Sequence, residues 1–153
     1  MHINTGKNGR FLSIIGAYIS VNKGTTVGPN TVYAQQMTIM EQDALKQKRI
    51  LPPDTCPRKE AIKALGQIID NLQKQQHSII LLIDANQTPR ESKSKNATKK
   101  FSIEWLRETY KMTDPFIELL NNRPTTTTLT CGRDIDYILT YGLNIQNIST
   151  LRH

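Results

Sequence analysis

The chain has 153 residues, of which 37% are hydrophobic and 22% charged. That is the length of one domain; it excludes a highly charged, disordered polymer, and the lack of any apolar run near ~20 residues excludes a membrane-spanning helix. The 20 Lys and Arg outnumber the 13 Asp and Glu, for a formal charge of +7, which favours polyanionic partners because cations docked on phosphates release condensed counterions.

The apolar fraction is low for a domain, so the core reads as thin or incomplete. Cys56 and Cys131 are far apart, with no CxxC or Cys/His cluster, so a structural zinc site is not expected. A reducing, intracellular setting, nucleus or cytoplasm rather than secretion, is the simpler reading.

Residues 10–20 (RFLSIIGAYIS) are short, β-branched and aromatic, the pattern of a central strand. Asn30 is placed to cap a helix carrying Tyr33, Met37, Met40 and Ala44 at helical spacing, stopped by LPPD at 51–54. Pro57 suits the first turn of a second helix. Its stripe is Ile62, Leu65, Ile69 and Leu72, joined by Ala61 and Ile68. The run SIILLI at 78–83 predicts a strand buried on both faces.

Residues 90–100 carry Arg90, Lys93, Lys95, Lys99 and Lys100 against Glu91 alone, with small polar residues between them. They read as a solvated loop, or as a loop that tracks phosphates. Ser102 and Asp114 are placed to cap two short helices. Thr125–Leu129, Ile135–Thr140 and Asn144–Ile148 read as strands, the middle one with Asp136, Ile138 and Thr140 on one face. Strands with covering helices imply an α+β layered sandwich.

Three places invite chemistry. Asp84 and Asn86 sit two apart at a strand exit, where extended backbone points both side chains the same way. Such an oxygen-only surface suits Mg2+ and an attacking water; a plain turn is the alternative. Asp136 stands between Ile135 and Tyr137, where a buried carboxylate needs a partner; Arg133 or a histidine would serve. Tyr18 is core by composition, or a hydroxyl that donates to a phosphate oxygen. His2 and His77 lack metal-ligand spacing and read as surface residues.

Taken in order, Gly16-Ala17-Tyr18, LLIDANQTP (81–89), TDPFIEL (113–119), a threonine strand and RDIDYIL (133–139) resemble the endonuclease/exonuclease/phosphatase family, the fold of DNase I. The resemblance covers roughly residues 10–140. It implies a partial DNase I-like α/β sandwich, with residues 1–153 as a single partial domain. It implies a hydrolase dependent on Mg2+ or Mn2+, with the metal held weakly by Asp84 and Asn86. Tyr18 would contact the phosphate, and Asp136 would orient a catalytic histidine. The substrate would be nucleic acid, DNA first, with Arg90, Lys93, Lys95, Lys99 and Lys100 as its binding residues and no membrane partner.

The sequence departs from the family's pattern in three ways. Ile83 replaces the glycine of the G-D-x-N motif. The family's metal-binding glutamate lies on a strand that precedes the matching segment. Its terminal S-D-H motif has only Arg152-His153 in its place. A non-catalytic nucleic-acid-binding remnant is therefore one alternative; a phosphatase for inositol or sphingolipid phosphoesters is another, since the family includes both.

Overall fold

The computed structural model describes residues 1–4, 11–21, 28–88, 93–94, 97–121 and 135–148, with the backbone alone at residues 2, 4, 93–94 and 97–98. Strands β1 (His2–Asn4) and β2 (Phe11–Tyr18) are followed by helices α1 (Val32–Lys46) and α2 (Pro57–Lys74), then β3 (Ser78–Asp84). A small hairpin of β4 (Lys93–Ser94) and β5 (Ala97–Thr98) comes next, then α3 (Ile103–Thr109), α4 (Pro115–Leu120) and β6 (Asp136–Tyr141). The main sheet has the order β1-β2-β3-β6. Strands β2 and β3 run parallel, while the outer pairs are antiparallel. Parallel neighbours need a crossover connection, which α1 and α2 supply. The architecture is mixed α and β, in keeping with an α+β chain.

One face of the sheet is packed. Ile79, Leu81, Ile83, Tyr137 and Leu139 point from it into a core completed by Ile62, Leu65, Ile69 and Leu72 of α2 and by Ile103 and Leu106 of α3. Each such side chain contributes about 1.5–3 kcal/mol on full burial. Gly66 lies within α2, where glycine is otherwise unfavourable. A Cβ there would stand 2.6 Å from the Tyr110 hydroxyl, so the small residue lets the segment after α3 approach. At the start of α2, Tyr33 of α1 bonds to the thiol of the N-cap Cys56; burial, and then that thiol, raise the Tyr33 hydroxyl above its ordinary pKa.

The other face is less covered, although Thr140 at its end is buried. Leu82 is 43% exposed and Tyr18 50%, while Leu12, Ile14, Ile80 and Ile138 are half-buried. The expectation that 78–83 is buried on both faces is thus corrected. A continuous apolar run does not reveal how many faces are covered, and here the alternate residues Ile80 and Leu82 face outward. Leu81→Ala should therefore cost about 2–5 kcal/mol of stability, and Leu82→Ala no more than about 1 kcal/mol. Urea unfolding of the two variants measures the difference.

Other local expectations shift. Thr31, not Asn30, caps α1: its hydroxyl accepts the Ala34 N–H at 3.2 Å. Ile68 is 48% exposed and lies outside the α2 stripe. The stretch 90–100 holds the β4–β5 hairpin rather than only a loop. Residues 144–148 form no strand. His77 is half-buried, bonded through Nδ1 to the Ser13 hydroxyl at 2.7 Å and stacked on Phe11, not a free surface residue. The threonine strand 125–129 lies outside the described residues. Ser102 and Asp114 do cap their helices, Ser102 accepting from the Trp105 N–H and Asp114 from Phe116 and Ile117. Among the described residues no helix is long and apolar enough to cross a membrane.

Candidate functional site

Strands β2 and β3 are parallel, so their C-terminal ends lie at the same edge of the sheet, where ligand sites in α/β sheets form. In register, Tyr18 is opposite Asp84, and Asp84 is opposite Asp136. Side chains paired across strands share a face, so a phenol and two carboxylates form one row on the open face. With strands about 4.8 Å apart, the row spans roughly 10 Å. Next to it, the Ala85 N–H donates to the Ile135 carbonyl at 2.8 Å. Ala85 and Ile135 are thus the hydrogen-bonded pair, and Asp84–Asp136 is the neighbouring non-hydrogen-bonded pair, whose side chains come closer. Two like charges directly opposite repel.

The row revises two expectations. Tyr18 is not core: it is half-exposed, with its ring on the open face. Asp136 is exposed rather than buried, so its charge is not desolvated. The alternation of β6 holds, because Tyr137 and Leu139 are buried while Asp136 faces solvent.

Asn86 does not project alongside Asp84 as extended backbone would place it. It adopts φ 45°, the left-handed conformation that Asn tolerates in turns. Its backbone N–H donates to Asp84 Oδ1 at 3.2 Å, and its Nδ2 donates to the Ile19 carbonyl at 3.1 Å. The Asp–x–Asn spacing therefore builds a turn that fixes the Asp84 carboxylate and ties the two strand exits together. Among the described residues nothing donates to the amide oxygen of Asn86, which stays available as an oxygen ligand.

Two buried residues that the sequence reading overlooked hold this edge. Arg58, 2% exposed, reaches from the first turn of α2 and donates through one terminal nitrogen to the Ser20 carbonyl at 2.8 Å and the Ala85 carbonyl at 2.7 Å. Gln87, 4% exposed, accepts the Tyr137 hydroxyl on its backbone carbonyl at 2.8 Å and the Ile103 N–H on its side chain at 3.4 Å. An arginine directly after the helix-opening proline was the available signal, because a charge there is either solvated or clamps a neighbouring loop.

Among the described residues no group of three or more His, Cys, Asp and Glu is placed to hold a metal ion. The donors of the row are hard oxygens, and Mg2+ commonly binds one or two carboxylates and keeps several waters. Asp84, Asp136 and the Asn86 amide oxygen fit that mode. Of the basic set, Lys99 and Lys100 are exposed, with Lys100 Nζ 5.1 Å above the Phe101 ring. Arg90, Lys95, Arg133, Arg152 and His153 lie outside the described residues, as does the side chain of Lys93. No family model, curated protein or solved structure matches the chain.

Proposed function

We propose that the chain is a divalent-cation-dependent phosphodiester hydrolase of the DNase I-like kind, acting on nucleic acid. The observation that carries this reading is the Tyr18–Asp84–Asp136 row, which unites three motif residues from distant parts of the chain on one open sheet edge. The net charge of +7 favours a polyanionic substrate.

In this mechanism Asp84, Asn86 and Asp136 would hold Mg2+ or Mn2+. When bound, the ion neutralises charge on the phosphate and makes water more acidic. The Asp84 carboxylate, fixed through its Oδ1 by the Asn86 N–H, presents an acceptor to the attacking water and aligns it. Tyr18 donates its hydroxyl to a phosphate oxygen, stabilising charge as it develops. Asn86 and Arg58 keep the two strand exits at a fixed separation, so these groups act on one phosphate.

Purified chain is expected to nick supercoiled plasmid DNA with Mg2+ and to stop when EDTA is added. A second reading, a nucleic-acid-binding module without turnover, is favoured by the departures from the family's pattern, in which the S-D-H histidine motif is replaced by Arg152-His153. DNA binding with no nicking in Mg2+ or Mn2+ would select it and overturn the hydrolase.

A further inference from the structure

Four cationic residues from two stretches of the chain converge on one small pocket. Arg58 and Lys59 come from the first turn of α2, and Lys99 and Lys100 from the segment leading into α3. Two buried polar residues, Gln87 and Ser102, complete its wall. The cavity is about 120 Å³. That is several times the ~30 Å³ share of one water and well below the ~300–1,000 Å³ of pockets for drug-sized ligands. It has room for a phosphate-sized group but not for a whole nucleotide.

Among the described residues Lys59, Lys99 and Lys100 have no carboxylate partner. The acids in the first turns of α2 and α3, Glu60 and Glu104, pair instead with Lys63 and Arg107. The start of the 18-residue α2 adds partial positive charge, since its N-cap Cys56 makes no side-chain capping bond. The pocket lies at the same strand exits as the row, on the side of the sheet that α2 and α3 cover. Gln87 lies three residues beyond Asp84, and Arg58 bonds the Ala85 carbonyl between Asp84 and Asn86.

We propose that this pocket holds one backbone phosphate of a nucleic acid lying across the exits of β2 and β3, a neighbour of the phosphate at the Tyr18–Asp84–Asp136 row. The inference rests on the nucleic-acid reading above and specifies where the strand is gripped. Arg58 is the fixed, buried cation, and the three lysines close around the phosphate from the exposed side. A rigid grip one site away from the reacting phosphate sets which phosphodiester reaches the row.

The test is equilibrium binding of a fluorescein-labelled duplex by the full chain in EDTA, titrated with NaCl. The variant Lys59→Ala/Lys99→Ala/Lys100→Ala is compared with Lys46→Ala/Arg49→Ala/Lys74→Ala, which removes the same charge from the end of α1, the turn after it and the end of α2. The pocket variant is expected to bind about tenfold more weakly and to lose about one unit of log–log salt slope, the signature of one lost phosphate contact. The control should keep its slope. Equal losses in both variants, or an unchanged slope in the first, would overturn the pocket. Phosphatidylserine vesicles run in parallel separate the phosphate sources. Vesicle binding that depends on the three lysines, with duplex binding that does not, would overturn nucleic acid as the occupant. Because no metal is present, absence of cleavage leaves this result standing, and failure of the pocket leaves the hydrolase reading standing.

Discussion

Asp84→Ala is expected to lower Mg2+-dependent DNA nicking by ~10³-fold or more, the scale seen when one member of a cooperating catalytic unit is removed. Asp84 sits centrally in the row, opposite both Tyr18 and Asp136. Without it, Asp136 is left as the single carboxylate of the row. The alanine also removes the acceptor for the Asn86 N–H, so a loss of activity alone would not separate chemistry from loop structure. Asp84→Asn separates them. Its amide oxygen can still accept the Asn86 N–H, but the negative charge that attracts a divalent cation is gone. We expect Asp84→Asn to keep the urea midpoint within a few tenths of a kcal/mol and to be nearly as inactive as the alanine variant. Nicking retained by Asp84→Asn would remove Asp84 from the chemistry.

The second large effect is expected at Arg58. Each of its hydrogen bonds to the Ser20 and Ala85 carbonyls is charge-assisted and buried, a class worth about 1.5–3 kcal/mol. Arg58→Ala leaves both carbonyls without this donor and opens a void, so a total cost of about 3–5 kcal/mol is expected. Against the ~5–15 kcal/mol stability of a typical domain, that is a large fraction. Urea unfolding measures it. The same variant should lose nicking at low temperature, where it is still folded, because Ser20 follows the strand that bears Tyr18 and Ala85 separates Asp84 from Asn86. A variant that is destabilised yet nicks normally when folded would confine Arg58 to a structural role.

Local order was legible in the sequence wherever the deciding interaction lies within a few residues. The caps Ser102 and Asp114 bond to N–H groups two or three positions on. The α2 stripe follows helical spacing and is buried as expected, apart from Ile68 at its margin. The alternation of β6 placed Asp136 away from Tyr137 and Leu139, and the structure agrees. Asn30 and Thr31 are the instructive miss. Both residue types cap helices, and the choice depends on which backbone turns first.

Burial and the site behaved differently. The motif residues Tyr18, Asp84, Asn86 and Asp136 were legible as types at spacings, but their relation to one another was not. Tyr18 and Asp84 are brought opposite each other by parallel pairing across the α1–α2 crossover, and Asp136 by antiparallel pairing from the other side. Periodicity carries no information about that register. Asn86 was misdirected because one left-handed residue ends the alternation on which the extended reading depended. Arg58 escaped notice because its partners are 38 and 27 residues away. The amino-acid sequence by itself determined the elements, their caps, the basic surplus and the kinds of side chain available for chemistry, since these follow from local sterics, spacing and composition. Only the tertiary structure decided which sheet face is open, that a phenol and two carboxylates share one row, and that Arg58 and three lysines surround a phosphate-sized pocket, since strand register and helix docking are set by packing between segments distant in the chain.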